Sequence, residues 1–309
     1  MTDQPTPGPA VPATAPPRPG GGAPGEPAFR PETRAAADAV RAGLALARAG
    51  TGAVRAKPGR PRDVVTDADE AVEDLVRDLL GRAGVAAGGV AAAGVGSGRV
   101  GIGGAPVVGE ERGGEPVGAG PYWLVDPICG TRNFASGVPL FAVNVALVED
   151  GELTVAAVGD GSTGQVLVAE RGRGAHVLAP EGARRLQAGA DSDVVVIGSW
   201  PLAPARRGEA AEVLATLVRQ NRLDIRVLAS TVGLAYVAAG RFAADLYFGA
   251  APLHYGAGAL LASEAGAVVS DLDGRPFGVA STSLVAAGSA ELHATLLALV
   301  AAVTGGGPW

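Results

Sequence analysis

A chain of 309 residues, 48% of them hydrophobic, can bury one large core or two coupled ones. Its formal charge of −6 offers no basic field to a polyanion, and its arginines are scattered, so nucleic acid is not expected as a partner. A single cysteine, Cys129, excludes an intramolecular disulfide and suits a reducing compartment.

Residues 1–30 are rich in Pro, Ala and Gly, with no basic start followed by an apolar run, and read as a disordered tail rather than a secretory signal. Over 32–49 alanine, leucine and valine recur at helical spacing between arginines, which predicts a surface helix stopped by Gly50 and Gly52. Lys57 is the only lysine in a chain whose bias to Ala, Gly, Val and Arg reads as GC-rich coding. A second helix is predicted from Thr66, because TDADEAVEDLVRDLLG sets a capping hydroxyl three residues before Asp69 and crowds acids into the first turn, with Gly81 as its end. Residues 84–104, almost wholly Gly, Ala and Val without a period, read as a flexible loop. The apolar run 122–126 reads as a buried strand closed by Pro127. FAVNVALVEDGELTVAAVGD and QVLVAERGRGAHVL alternate around glycine turns as two hairpins of a largely antiparallel sheet. Beyond about residue 190 helices and strands alternate: DVVVIGSW, a helix over 205–220, DIRVL, a helix over 231–239, DLYFG, and on to a terminal helix. The fold class expected is α/β in alternating layers, with a tail over 1–30, an α+β part over 31–190 that carries the site, and an α/β part over 191–309. The most apolar late stretch, 292–303, is short of the roughly 20 residues a bilayer needs, so no membrane partner and a cytoplasmic location are expected.

Three acid-bearing segments stand out: DVVTDAD (63–69), GEE (109–111) and WLVDPICGTRNF (123–134). Hydrolysis of a phosphate ester with Mg²⁺ needs hard oxygen ligands converging from separate segments, plus N–H groups to hold the phosphate. Asp126 ends a strand before a turn at Pro127, where Gly130 and Thr131 can present N–H groups to an anion. Without further context, isolated acids are more often solvated surface residues.

The wording of these segments, together with GLAYVAAGRF (233–242) and PLHYGAGALLASEAGAVVSDLDG (252–274), resembles the inositol monophosphatase family from about Thr33 to the terminal helix. The resemblance implies a layered α/β fold, a metal-dependent phosphomonoesterase acting on a small phosphorylated metabolite, and a homodimer as a candidate assembly. Carried over residue by residue, it implies that Glu110, Asp126 and the Ile128 carbonyl bind a first metal. It implies that Thr131 helps Glu110 orient the attacking water, that Asp69 hydrogen-bonds water at the metal, and that Asp63 opens the first motif. Gly130, Thr131 and Arg132 would contact substrate.

The chain departs from the family pattern where that pattern has carboxylates for a second ion: Cys129 stands in DPICGT, and His254 in PLHYG. The substrate-contacting glutamate falls on Tyr247, and a tryptophan on Leu253. Hard Mg²⁺ prefers oxygen, so one weakly held Mg²⁺ is expected, with Zn²⁺ or Mn²⁺ at a softer site shared by Cys129 and His254. Alternatively Cys129 is a small buried residue and His254 a satisfied polar group. At a helix start His254 is expected to be neutral. A Cys129 nucleophile served by Arg132 is a third reading, although Arg132 follows too soon for a phosphate-cradling loop. His176 and His293 read as surface residues. The function classes are a metal-dependent phosphomonoesterase of a small polyol or sugar phosphate, and a relative that keeps the fold to bind a ligand or partner.

Overall fold

The computed structural model describes residues 27–57, 60–86, 104–116, 120–189, 191–199, 204–249 and 251–305. Most of the expected tail and of the glycine-rich loop lies outside these residues. In chain order the first elements are helix α1 (Pro31–Ala49), strands β1 (Val54–Lys57) and β2 (Arg60–Thr66), helix α2 (Asp67–Ala86), strands β3 (Val107–Gly109) and β4 (Tyr122–Cys129) and the short helix α3 (Thr131–Ala135). Strands β5 (Ala142–Glu149), β6 (Glu152–Asp160), β7 (Val166–Glu170), β8 (Gly174–Ala179) and β9 (Gly182–Arg185) follow as a meander. The rest comprises β10 (Val194–Ser199), α4 (Pro204–Gln220), β11 (Asp224–Val227), α5 (Val232–Ala238), β12 (Ala244–Tyr247), α6 (Pro252–Glu264), β13 (Val268–Ser270), β14 (Leu284–Ala287) and α7 (Ala290–Thr304).

Two large sheets result. One runs β3-β4-β5-β6-β7-β8-β9, antiparallel except for the parallel β3–β4 pair; the other runs β11-β10-β12-β14-β13. Alternation along β5 decides what covers each face of the first sheet. Val143, Val145 and Leu147 pack with Val40 and Leu44 of α1 and Val72 and Val76 of α2. Ala142, Ala146 and Val148 face Ala235 of α5 and Leu260 and Leu261 of α6. The second sheet covers the other side of those helices through Tyr247, Leu284 and Ala286, and α4 and α7 close its far face through Val213, Leu217, Leu296 and Val300. A helix between two sheets must be apolar all round, and α6 is: Leu260 and Leu261 serve one sheet, Ala259 and Ala262 the other. The layers therefore alternate helices, sheet, helices, sheet, helices.

The layered α/β class expected from the sequence is the one observed. Two local expectations are corrected. Helix α2 runs through Gly81 to Ala86, because a glycine ends a helix only where the chain turns left-handed, and Gly81 stays in line. Pro127 does not close its strand: β4 continues to Cys129, with the β4–β5 register slipping between Asp126 and Cys129, a bulge that accommodates the missing N–H. His176 and His293 are also buried rather than on the surface, 8% and 9% exposed, with His293 Nε2 2.9 Å from Ser270 Oγ. No helix among the described residues is long and apolar enough to cross a membrane.

Candidate metal and phosphate site

Four segments meet where β3 and β4 end. Asp126, near the end of β4, is wholly buried. Glu110 leaves β3 alongside it, its N–H donating to the Val125 carbonyl at 3.2 Å. The GEE turn is held from below by Glu73 of α2, a fully buried carboxylate that accepts from the N–H groups of Glu111 at 2.7 Å and Arg112 at 3.0 Å and from Arg77 Nε at 2.9 Å. A Cβ on Gly109 would come within 2.0 Å of the Glu73 carboxylate, which is why the motif opens on glycine.

His254 lies in the first turn of α6 and aims Nδ1 at Asp126 Oδ2, 2.9 Å away, and at Glu110 Oε2, 3.7 Å away. One ligand atom from each of Glu110, Asp126 and His254 falls within 4.8 Å of the others. Asp126 Oδ1 is buried with no hydrogen-bond partner among the described residues. On the far side of Glu110, Lys57 Nζ sits 2.8 Å from Glu110 Oε1 and 2.8 Å from Glu111 Oε1.

Behind this group stands the second part of the site. Thr66 and Asp69 form the expected helix cap, Asp69 Oδ2 accepting from the Thr66 N–H at 2.8 Å. Asp69 Oδ1 lies 3.1 Å from the Thr131 hydroxyl, which is also 3.0 Å from the Ile128 carbonyl, so one hydroxyl proton has two acceptors. Gly130 precedes α3 at a φ of 101°, and a Cβ there would lie 3.0 Å from the Leu140 carbonyl and 3.1 Å from the Ala229 carbonyl, a conformation and closeness that favour glycine. Arg132 is exposed on α3, and Asp63 lies half-buried on β2.

The electrostatics of the group show an excess of negative charge. Burial and the charge of Asp126 push the Glu110 carboxyl up to about 7, against the pull of His254 and Lys57. Burial does the same to Glu111, also up to about 7, and raises Asp69. Burial opposes a charge on His254, but its hydrogen bond to Asp126 and the charges of Asp126 and Glu110 outweigh it and lift the imidazole to about 9. The expectation of a neutral His254 at a helix start is thus overturned, because two carboxylates at close range exceed a helix end worth about 1 kcal/mol. Counted as ionised, Asp69, Glu110, Glu111 and Asp126 exceed Lys57 and His254 by two negative charges.

Cys129, the last residue of β4, is buried. Its thiol accepts the Thr231 N–H at 3.3 Å and packs with Leu261 and Ala142 in the core facing α5 and α6, outside the group of convergent ligands. Burial and then the charge of Asp126 hold the thiol well above its ordinary pKa. Cys129, at the end of β4, and His254, at the start of α6, have different hydrogen-bond partners, Thr231 and Asp126, and the convergent group among the described residues is Glu110, Asp126 and His254. The same burial and bonding argue against a thiolate nucleophile there. Tyr247 is fully buried, its hydroxyl 2.6 Å from Asp245 Oδ2, and so is not placed to touch a substrate; Leu253 packs against the inter-sheet core.

Sequence reasoning missed Lys57, Glu111 and Glu73. Glu111 and Glu73 look like ordinary helix and loop acids, and only the tertiary fold buries them. Lys57 did carry a signal: it is the only lysine among 25 basic residues.

The chain is a layered α/β protein in which carboxylates and an imidazole gather around one point at the end of a central strand, a candidate metal site. Residues 30–304 match the model of the inositol monophosphatase family. The inositol-1-monophosphatase of Bacillus subtilis is 30% identical over 177 residues, covering 57% of this chain and 66% of that protein. The Nus factor SuhB of Pseudomonas aeruginosa is 39% identical over 162 residues, 51% of this chain and 59% of that protein. The aligned stretches thus span about three fifths to two thirds of these curated relatives. Among solved structures, the IMPase of Thermotoga maritima shares the fold with a TM-score of 0.71 at 23% identity, over 87% of this chain and 96% of that one. SuhB of Mycobacterium tuberculosis matches at a TM-score of 0.62 and 28% identity, over 89% and 96%. The chain belongs to the inositol monophosphatase family.

Proposed function

We propose that the chain is a phosphomonoesterase of small polyol or sugar phosphates that works with one divalent cation held by Glu110, Asp126 and His254. The observation that carries this reading is the convergence of those three ligand atoms within 4.8 Å, next to a buried Asp126 oxygen that has no partner among the described residues. The donor set supports it: two carboxylates and an imidazole suit a cation of intermediate hardness such as Mn²⁺ or Zn²⁺ better than Mg²⁺. A cation bound there would supply Lewis-acid stabilisation to the phosphoryl oxygens.

The chain's own residues do the rest. Thr131, fixed by Asp69 and the Ile128 carbonyl, orients a water through its hydroxyl oxygen, and Asp69, its pKa raised by burial, is the adjacent proton acceptor. The N–H groups of Gly130 and Thr131 and the Arg132 guanidinium are the proposed phosphate contacts. Release of inorganic phosphate from a set of small sugar and polyol phosphates, with Mg²⁺, Mn²⁺ and Zn²⁺ in turn, tests the reading. Turnover with Mn²⁺ or Zn²⁺ that disappears in Asp126→Asn supports it, and no release with any of the three ions refutes it.

One observation favours a second reading, a relative that binds without turning over. Lys57 and His254 already place two positive charges on Glu110, Glu111 and Asp126, the acids that would serve a cation. Saturable binding of a phosphorylated metabolite without phosphate release selects this alternative.

A further inference from the structure

The two oxygens of Glu110 face opposite cations. Oε2 looks to His254 and Oε1 to Lys57, whose ammonium is shared with Glu111 at equal distances of 2.8 Å. Lys57 ends β1, in a two-stranded sheet separate from both large ones. The three residues before it on β1 are exposed, and the register with β2 slips between Ala56 and Lys57. Among the described residues the hydrogen bonds of the ammonium are to two carboxylates, Glu110 and Glu111.

The residue type matters as well. In a chain of 25 basic residues every position but this one is arginine. A guanidinium grips carboxylates through a rigid fork of donors, whereas an ammonium is a point charge on a flexible stem that can leave without breaking a two-pronged contact. An ammonium beside a divalent cation is also repelled: at a few ångströms, even with the screening of water, the cost corresponds to about tenfold or more in affinity.

We propose that Lys57 is an internal competitor for the divalent cation, its ammonium and the metal excluding one another at Glu110, so that metal binding expels the lysine and frees the end of β1. This rests on the reading that Glu110, Asp126 and His254 hold a divalent ion. Lys57 is here a positioning residue, acting through Glu110 and Glu111 rather than on substrate.

Because Lys57 is the only lysine, an amine-acylating reagent reports on it alone once the N-terminal amine is separated by peptide mass. With the full chain at fixed pH, acylation of Lys57 should accelerate as Mn²⁺ is added, with the same midpoint as the heat of Mn²⁺ binding. Lys57→Met should bind Mn²⁺ about tenfold or more tighter than the wild type. Lys57→Arg, which keeps the charge and adds a firmer grip, should bind no tighter than the wild type. Equal Mn²⁺ affinity of wild type and Lys57→Met, or Mn²⁺ binding that leaves the acylation rate unchanged, overturns the competition and leaves the metal reading standing. If neither protein binds Mn²⁺, the metal reading fails and the competition with it.

Discussion

Replacing His254 with alanine removes the only partner that Asp126 Oδ2 has among the hydrogen bonds described, and leaves a wholly buried carboxylate unpaired. Raising the imidazolium from 6.5 to about 9, at about 1.4 kcal/mol per pH unit, corresponds to about 3 kcal/mol of folding free energy. With 32% of the His254 side chain open to water, screening reduces this to about 2 kcal/mol. In a chain of 309 residues, with an unfolding entropy of about 2.1 cal/mol/K per residue, that is about 3 °C in Tm. The sign follows from the direction of the shift. A group whose pKa rises on folding contributes in full below its unfolded value of 6.5 and loses that contribution as the pH passes about 9. Thermal unfolding in chelator should therefore show His254→Ala melting about 3 °C below the wild type at pH 6.5, with most of the gap closed by pH 9.5. A gap of the same size at both pH values would mean that the ring matters only by packing, and no gap at either would mean that the His254–Asp126 pair contributes nothing net.

Three further outcomes follow from the same geometry. Thr131→Ala, which removes the hydroxyl between Asp69 and the Ile128 carbonyl, should lower the rate of phosphate release by about 10²-fold or more while costing only about 1 kcal/mol of stability, measured by steady-state kinetics and denaturant titration on one preparation. A thiol reagent should leave Cys129 unmodified in the native protein and react with it fully in denaturant, because the thiol is buried, bonded to the Thr231 N–H and held protonated. His254→Asp should by itself strengthen Mg²⁺ binding in calorimetry. Adding Cys129→Asp should lower Tm with no further gain in affinity, because that carboxylate would enter an apolar core beside Thr231 rather than the ligand group.

Much of this molecule was legible before any coordinates. The helix cap from Thr66 to Asp69, the hairpin turn at Asp150 and Gly151, and the alternation of helix and strand beyond residue 190 are local grammar, set by hydrogen bonding and hydrophobic period over a few residues. The resemblance of three short acidic segments to one family placed Glu110, Asp126 and Thr131 in a common site; the fold gathers Glu110 and Asp126 with His254, and sets Thr131 between Asp69 and the Ile128 carbonyl. What lies beyond a few residues was not legible. Gly81 could stop a helix or pass through one, and only its backbone conformation in context decides. Cys129 and His254 sit at positions that the family pattern gives to one ion, yet only the tertiary structure shows that His254 hydrogen-bonds Asp126 while the Cys129 thiol accepts from the Thr231 N–H. Lys57 lies 53 residues from Glu110 in sequence and 2.8 Å away in space. The charge state of the site, set by burial and by distances between side chains from four separate segments, is a property of the tertiary structure, because Coulomb interactions depend on separation and on the exclusion of water rather than on order along the chain.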